Sequence, residues 1–208
     1  MPAAELSENK AGHRVDYTGA KMGMWIFILT EILLFGMLFL LYSIFRFRYS
    51  PEFHSSATEM DLFLGTANTA ILLTSSLTMA ISIEAIRKGN KGLSMLCQFL
   101  TLVFGAVFLV NKYMEWGAHI SHGIYPHSPQ MEQMGRGKIM FYSLYYVMTG
   151  LHGLHVILGV FVIAGMLVFT ARGVVNRHDF VKIENTGLYW HFVDIVWIYL
   201  FPLFYLIA

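Results

Sequence analysis

Charged residues are scarce in this sequence, since Asp, Glu, Lys and Arg together make up only 13% of its 208 residues. Soluble domains carry about 25% charged residues, so this shortage, with 56% hydrophobic residues and a mean hydropathy of +0.57, indicates a membrane protein. The net charge of +1 provides no strongly basic surface of the kind that binds nucleic acid. Nucleic acid is therefore not an expected partner.

Cysteine is almost absent, because Cys97 is the single one, and one chain alone then forms neither a disulfide nor a thiolate metal site. A cleavable signal peptide is not expected, since the first twenty residues are polar with mixed charge and the first apolar run is full-length. The sequence has no glycine-rich phosphate loop or dinucleotide fingerprint. It also lacks internal repeats, which disfavours a transporter built from inverted repeats.

Five apolar runs reach the ~20 residues that a helix needs to cross the hydrocarbon layer. They occupy residues 22–45, 61–83, 93–113, 139–169 and 186–207. The sequence therefore predicts an all-α integral membrane bundle of five transmembrane helices, with a polar segment at 1–21 and one membrane domain over 1–208. Nine Lys and Arg residues lie on the side of the N-terminus and five on the opposite side, which predicts the N-terminus inside and the C-terminus outside.

Several ionisable side chains lie within the apolar runs, where a charged group costs roughly 2.5–3.5 kcal/mol on insertion scales and usually serves a function. His152 and His155 are three residues apart, as are His191 and Asp194, so each pair shares a helix face. We expect Glu31 to join these four in one buried polar cluster, with Asp194 accepting a hydrogen bond from His191. Glu31 is interpreted either as a protonated acid bonded to a neighbouring helix, or as a group for proton exchange or lipid-headgroup binding.

Secondary polar positions are Asn68 in the second run, Glu115 at the end of the third and Glu184 at the start of the fifth. Lys112 lies three residues before Glu115, so we expect an ion pair across one helical turn, at the membrane interface where Tyr and Trp anchor helices. The connection at 117–138 is predicted to be a proline-stiffened surface loop. Its histidines and the His152–His155 pair offer too few converging ligands to favour a metal or haem site.

Two motifs lie in the fourth and fifth apolar runs. The fourth run contains Thr-Gly-x-His-Gly-x-His-Val-x-x-Gly, formed by Thr149, Gly150, His152, Gly153, His155, Val156 and Gly159. The last run contains Tyr-Trp-His-Phe-Val-Asp-x-Val-Trp, formed by Tyr189, Trp190, His191, Phe192, Val193, Asp194, Val196 and Trp197. Both motifs resemble signatures of subunit III of haem–copper terminal oxidases, and Glu184 matches that family's acidic residue.

The other runs extend this resemblance to the whole chain. Glu31 matches the family's buried glutamate, with Thr30 in place of a serine, whereas Lys112 stands where the family often has glutamine. Asn68 and Glu115 resemble positions on the two helices between. The length resembles the short five-helix bacterial form.

The resemblance implies a subunit without a redox centre, catalytic residue or metal ligand of its own. It implies haems and copper in partner subunits I and II, electrons from cytochrome c or quinol, and a bacterial inner membrane. The implied role is to stabilise the core subunit, bind phospholipid and support proton uptake in aerobic respiration. Alternatives are an accessory subunit of a nitric oxide reductase, a proton-coupled transporter, and a membrane metalloenzyme.

Overall fold

Helices account for almost all of the molecule in the computed structural model, which describes residues 17–125, 128–177 and 179–206. The elements are α1 (Tyr17–Arg48), α2 (Ser50–Ala57), α3 (Leu62–Arg87), α4 (Lys91–Ser121), α5 (Pro129–Glu132), α6 (Arg136–Ala171), α7 (Val181–Phe201) and a π-helical turn (Pro202–Leu206). Among the described residues, α1, α3, α4, α6 and α7 with its π turn are long and apolar enough to cross a membrane. The all-α fold with five spanning helices is thus confirmed.

The helices extend beyond the apolar runs that predict them. α1 already begins at Tyr17, α4 continues to Ser121, and α5 lies within the predicted loop, so the loop prediction for 117–138 is wrong for those segments. Residues 126 and 127 of that loop, and most of the polar segment at 1–21, lie outside the described residues. At the other end, Pro202 follows the last α-helical residue, because proline has no amide hydrogen to continue the hydrogen-bond ladder.

A tight connection turns α3 back into α4. Gly89 adopts a φ of 77°, the left-handed conformation that glycine adopts without steric cost. Asn90 then caps α4, since its Oδ1 accepts a hydrogen bond from the Leu93 amide at 3.1 Å. Asp61 caps α3 in the same way, through the Leu64 amide at 3.1 Å. Short polar side chains thus start both helices, which pack as an antiparallel hairpin.

The spanning helices form a four-helix ring with one helix outside it. In the ring, α3 packs on α4, α4 on α6, α6 on α7, and α7 on α3. Helix α1 packs against α6 and α7, and the short α2 packs against the α6 end. This arrangement brings the histidine-bearing faces of α6 and α7 next to each other.

Trp190 lies at the centre of the ring and is fully buried. A Cβ atom at Gly159 would come within 2.7 Å of the Trp190 indole, and one at Gly105 within 2.9 Å, so both positions require glycine. The indole Nε1 donates a hydrogen bond to Ser75 Oγ at 3.0 Å. One aromatic residue of α7 therefore packs against α4 and α6 and bonds to α3, which fixes the positions of the neighbouring polar side chains.

Candidate functional site

Glu31 and His155 form the polar contact between α1 and α6. Glu31 Oε2 lies 3.0 Å from His155 Nε2, and His155 Nδ1 lies 2.8 Å from the Leu151 carbonyl oxygen. A carbonyl only accepts, so Nδ1 carries a hydrogen and the Glu31–His155 contact needs one further proton between its two atoms. Either Glu31 is protonated and donates to a neutral imidazole, or an imidazolium donates to a carboxylate. In both cases the Glu31–His155 pair shares one exchangeable proton inside the bundle.

His152 has a different environment, although it shares a helix face with His155. Its ring packs against Phe108, with centroids 5.6 Å apart, and against Trp197, at 5.3 Å. Both ring nitrogens are buried without a hydrogen-bond partner among the described residues. His152 is therefore held by aromatic packing alone.

The predicted hydrogen bond between His191 and Asp194 is not formed. His191 instead turns toward α3, where its Nδ1 lies 2.6 Å from Ser76 Oγ. Both carboxyl oxygens of Asp194 are buried and have no hydrogen-bond partner among the described residues, although Ser76 lies within interaction range. Spacing places two residues on one face, but the nearest partner on the next helix decides where each side chain points.

The five residues predicted as one cluster therefore do not form a single hydrogen-bonded network in the described part of the chain. Only Glu31 and His155 bond to each other, while His191 bonds to α3 and His152 packs against aromatic rings. Asn68, a secondary position, accepts a hydrogen bond at 2.9 Å from Asn111 Nδ2, which links α3 to α4.

Lys112 and Glu115 form the ion pair that their spacing predicts, with Nζ 3.1 Å from Oε2. Both residues are buried within the bundle, at 7% and 4% exposure, and their expected location at the membrane interface stays a prediction. Lys112 Nζ also donates to the hydroxyls of Tyr205 and Tyr145, at 2.8 and 3.2 Å. Both tyrosine hydroxyls donate in turn to Glu115 Oε1. This lysine network was not apparent from the sequence, because its tyrosines come from α6 and from the π turn.

A cleft of about 280 Å³ opens beside this network at the same end of the bundle. Its walls include His119, Tyr142, Glu115 and Glu59, a residue that the sequence did not single out. Glu59 accepts hydrogen bonds from Lys138 Nζ at 2.7 Å and from the Tyr142 hydroxyl at 2.6 Å. Partial burial raises the pKa of Glu59, but these two hydrogen bonds and the Lys138 charge outweigh burial and lower the pKa below its ordinary value.

Glu184 lies at the opposite end, where it bridges two cations. Its Oε2 is 3.0 Å from Lys21 Nζ, and its Oε1 accepts from the guanidinium of Arg87. These three residues line a cleft of about 530 Å³ together with Trp25 of α1 and Phe180. Two cations face one carboxylate, so the cleft has a positive excess that suits an anionic group.

The described residues contain no group of three His, Cys, Asp or Glu side chains placed to hold a metal ion. The molecule is a multi-pass helical membrane protein whose ionisable groups link helices inside the bundle. The chain belongs to the cytochrome c oxidase subunit III family, whose family model matches residues 7–208. This confirms the resemblance seen in its motifs.

Relatives of known type match nearly the whole chain. The probable quinol oxidase subunit 3 of Staphylococcus haemolyticus is 33% identical over 190 residues, covering 90% of this chain and 89% of the relative. The cytochrome c oxidase subunit 3 of Thermostichus vulcanus is 33% identical over 188 residues, covering 90% and 87%. The heme-copper oxidase subunit I+III of Aeropyrum pernix is 32% identical over 193 residues, covering 90% of this chain but 22% of that longer protein.

Proposed function

We propose that this chain acts as the non-redox subunit III of a respiratory haem–copper oxidase in a bacterial inner membrane, with its N-terminus inside and its C-terminus outside. The observation that carries the proposal is the family match, which spans residues 7–208 and all five spanning helices. The haems and copper belong to subunits I and II, which take electrons from cytochrome c or quinol. The Aeropyrum relative, named as a fusion of subunits I and III, supports association with the large subunit.

Support of proton uptake is the first element of this role. The Glu31–His155 pair shares one proton between two titratable groups at 3.0 Å, well inside the spanning region. The shared proton can move between the two groups without changing the net charge of the pair, so this transfer leaves no isolated charge in a low-dielectric interior. We assign it to proton exchange along the face that α1 and α6 share, and to no step of oxygen reduction itself.

Binding of phospholipid is the second element. The cleft of Lys21, Arg87 and Glu184 combines a positive excess with Trp25, and the outward face of α1 that leads away from it is strongly apolar. A phosphate headgroup fits between the two cations, with its acyl chains along that apolar face. We expect Arg87→Leu to reduce the phospholipid that copurifies with the complex. The same substitution at Lys88, which pairs with Glu84 outside the cleft, serves as the control.

The proposed function is tested by purifying the complex in a gentle detergent through a tag on this chain. Haem absorption bands together with oxygen consumption are expected in the purified fraction. A colourless chain that brings no haem protein with it, even after cross-linking in intact membranes, would overturn the oxidase assignment. It would favour a stand-alone transporter instead, while nitric oxide consumption without oxygen consumption would favour the reductase.

A further inference from the structure

His191 presents a polar atom to the outside of the bundle at the middle of the membrane. It is the eleventh residue of a 26-residue span that runs from Val181 to Leu206. Its ring is partly exposed, and its Nε2 makes no hydrogen bond among the described residues. The buried unpartnered atoms of the structure include both nitrogens of His152 but neither nitrogen of His191. Nε2 is therefore accessible from outside the described chain.

The hydrogen-bond pattern around Ser76 determines what this atom offers. A serine hydroxyl has a single proton, and His191 Nδ1, at 2.6 Å, is the acceptor that the described residues provide for it in bonding geometry. Asp194 lies nearby but does not meet that geometry. In the tautomer that gives the Ser76 proton this acceptor, Ser76 donates to Nδ1 and the hydrogen of the neutral ring lies on Nε2. The outward atom is then a hydrogen-bond donor.

The face of α7 around His191 lies in a groove between α1 and α3. One side of α7 contacts α1, through Tyr189 against Phe27 for example, and another side contacts α3, through His191 against Ser76. Of the residues between these two sides, Ile195 and Ile198 point outward, at 52% and 43% exposure, and Leu188 is partly buried. The groove is thus apolar along its floor with one donor at mid-depth.

We propose that a transmembrane helix of the large haem-bearing subunit docks in this groove and presents a hydrogen-bond acceptor to His191 Nε2–H. The inference rests on the proposed function. Lipid tails offer no acceptor, and headgroups lie about 15 Å away from the centre of a hydrocarbon layer that is roughly 30 Å thick. A protein helix supplies an acceptor at that depth, and polar side chains commonly join helices in this way. The phospholipid near Arg87 then lies at one end of the same groove.

Photo-cross-linking of the tagged complex in intact membranes tests this docking surface. A photoreactive amino acid is placed at Ile195 in the groove and, as a control, at Val162, which is 46% exposed on α6. The Ile195 adduct is expected to contain the haem-bearing subunit, while the Val162 adduct contains lipid. Adducts of Ile195 with lipid alone or with a second copy of this chain, in a complex that still copurifies with haem, would overturn the docking surface.

A second measurement isolates the hydrogen bond. We expect His191→Leu to lower the haem retained per tagged chain after a detergent wash by about three- to tenfold, whereas His191→Gln keeps a donor and stays within about twofold of the parent. Equal retention in both variants would overturn the donor role. If the unmodified chain retains no haem protein at all, the proposed function fails and the docking surface with it. If it does retain haem but Ile195 fails to reach the haem protein, only the docking surface fails.

Discussion

Two groups of buried ionisable residues in this bundle satisfy their polar atoms in opposite ways. At the end near α5, Lys112 has three hydrogen bonds and Glu115 is bonded at both oxygens. At mid-depth, His152 and Asp194 are as deeply buried, yet their nitrogens and oxygens have no hydrogen-bond partner among the described residues. The Lys112 network is complete within the chain, and the mid-depth group is not.

This difference suggests a structural role for the Lys112 network and makes the mid-depth group the candidate for function. A closed network of charges and hydroxyls fixes α4, α6 and the π turn relative to one another, because its ion pair is hydrogen-bonded within the chain. An unpartnered buried group costs free energy, so natural proteins tend to retain it where it performs a task. His152 and Asp194, which belong to the two motifs that carry the family resemblance, lie in the second group. We therefore propose that the function lies at mid-depth and along α7.

The largest effect is expected from a substitution that breaks the Lys112 network. Glu115→Leu leaves the Lys112 ammonium buried without a counter-charge, and we expect a loss of about 3–5 kcal/mol in the free energy of unfolding. The measurement is the unfolding of the detergent-purified chain in increasing denaturant. The double variant Lys112→Leu with Glu115→Leu removes both charges and should recover more than half of that loss. A double variant as unstable as Glu115→Leu would contradict the ion-pair explanation.

A smaller effect is expected where packing rather than hydrogen bonding holds the mid-depth group. In Gly159→Ala the new methyl would lie 2.7 Å from Trp190, and the strain should cost about 1–3 kcal/mol. Gly165 lies on the same helix with no atom within 4 Å of its Cβ position, which makes Gly165→Ala the matched control. Alanine favours helices over glycine by about 0.8–1.0 kcal/mol, so the control should be unchanged or slightly more stable. Similar losses of stability in Gly159→Ala and Gly165→Ala would show that the close packing of Gly159 against Trp190 is unimportant.

The two groups are compared directly by removing one polar function from each. Tyr145→Phe deprives both Lys112 and Glu115 of a hydrogen bond and should cost about 1–3 kcal/mol. His152→Leu removes nitrogens that bond to nothing in the described chain, so its stability should stay close to that of the parent. Oxygen consumption of the assembled complex should show the reverse order, with the larger loss in His152→Leu. If both variants are equally destabilised, the distinction between the fully bonded Lys112 network and the unpartnered mid-depth group is wrong.

The sequence predicted the helices better than the contacts between them. Run length and composition were enough for five spans, and spacing within one helix was enough for the Lys112–Glu115 pair. The His191–Asp194 pair is not formed, because the imidazole bonds instead to Ser76 on another helix. Tyr205 joined the Lys112 network only through the fold, since it lies 93 residues further along the chain. Contacts of this kind depend on the packing of helices, which no local pattern contains.

The smallest expected effect concerns a second lysine–acid–tyrosine set that faces water. Lys138, Glu59 and Tyr142 repeat the residue types of the Lys112 network, but the Glu59 side chain is 45% exposed, so its ion pair contributes less than about 1 kcal/mol. Partial burial raises the pKa of Glu59, but the hydrogen bonds from Lys138 and Tyr142 outweigh burial and lower the pKa below the ordinary value of 4.5. The stability that the Glu59 carboxylate contributes is therefore complete above pH 4.5 and disappears as pH falls through the lowered pKa.

Comparison of the parent with Glu59→Gln measures this contribution through thermal unfolding between neutral and acidic pH. The parent should be slightly more stable at neutral pH, and the difference should vanish only well below pH 4.5, because the folded state releases the proton more readily than the unfolded state. In a Lys138→Gln background the difference should shrink at every pH. A difference that grows toward acid pH would mean that burial, and not Lys138 with Tyr142, dominates at Glu59. The exposed set would then resemble the buried one in its electrostatics as well as in its residue types.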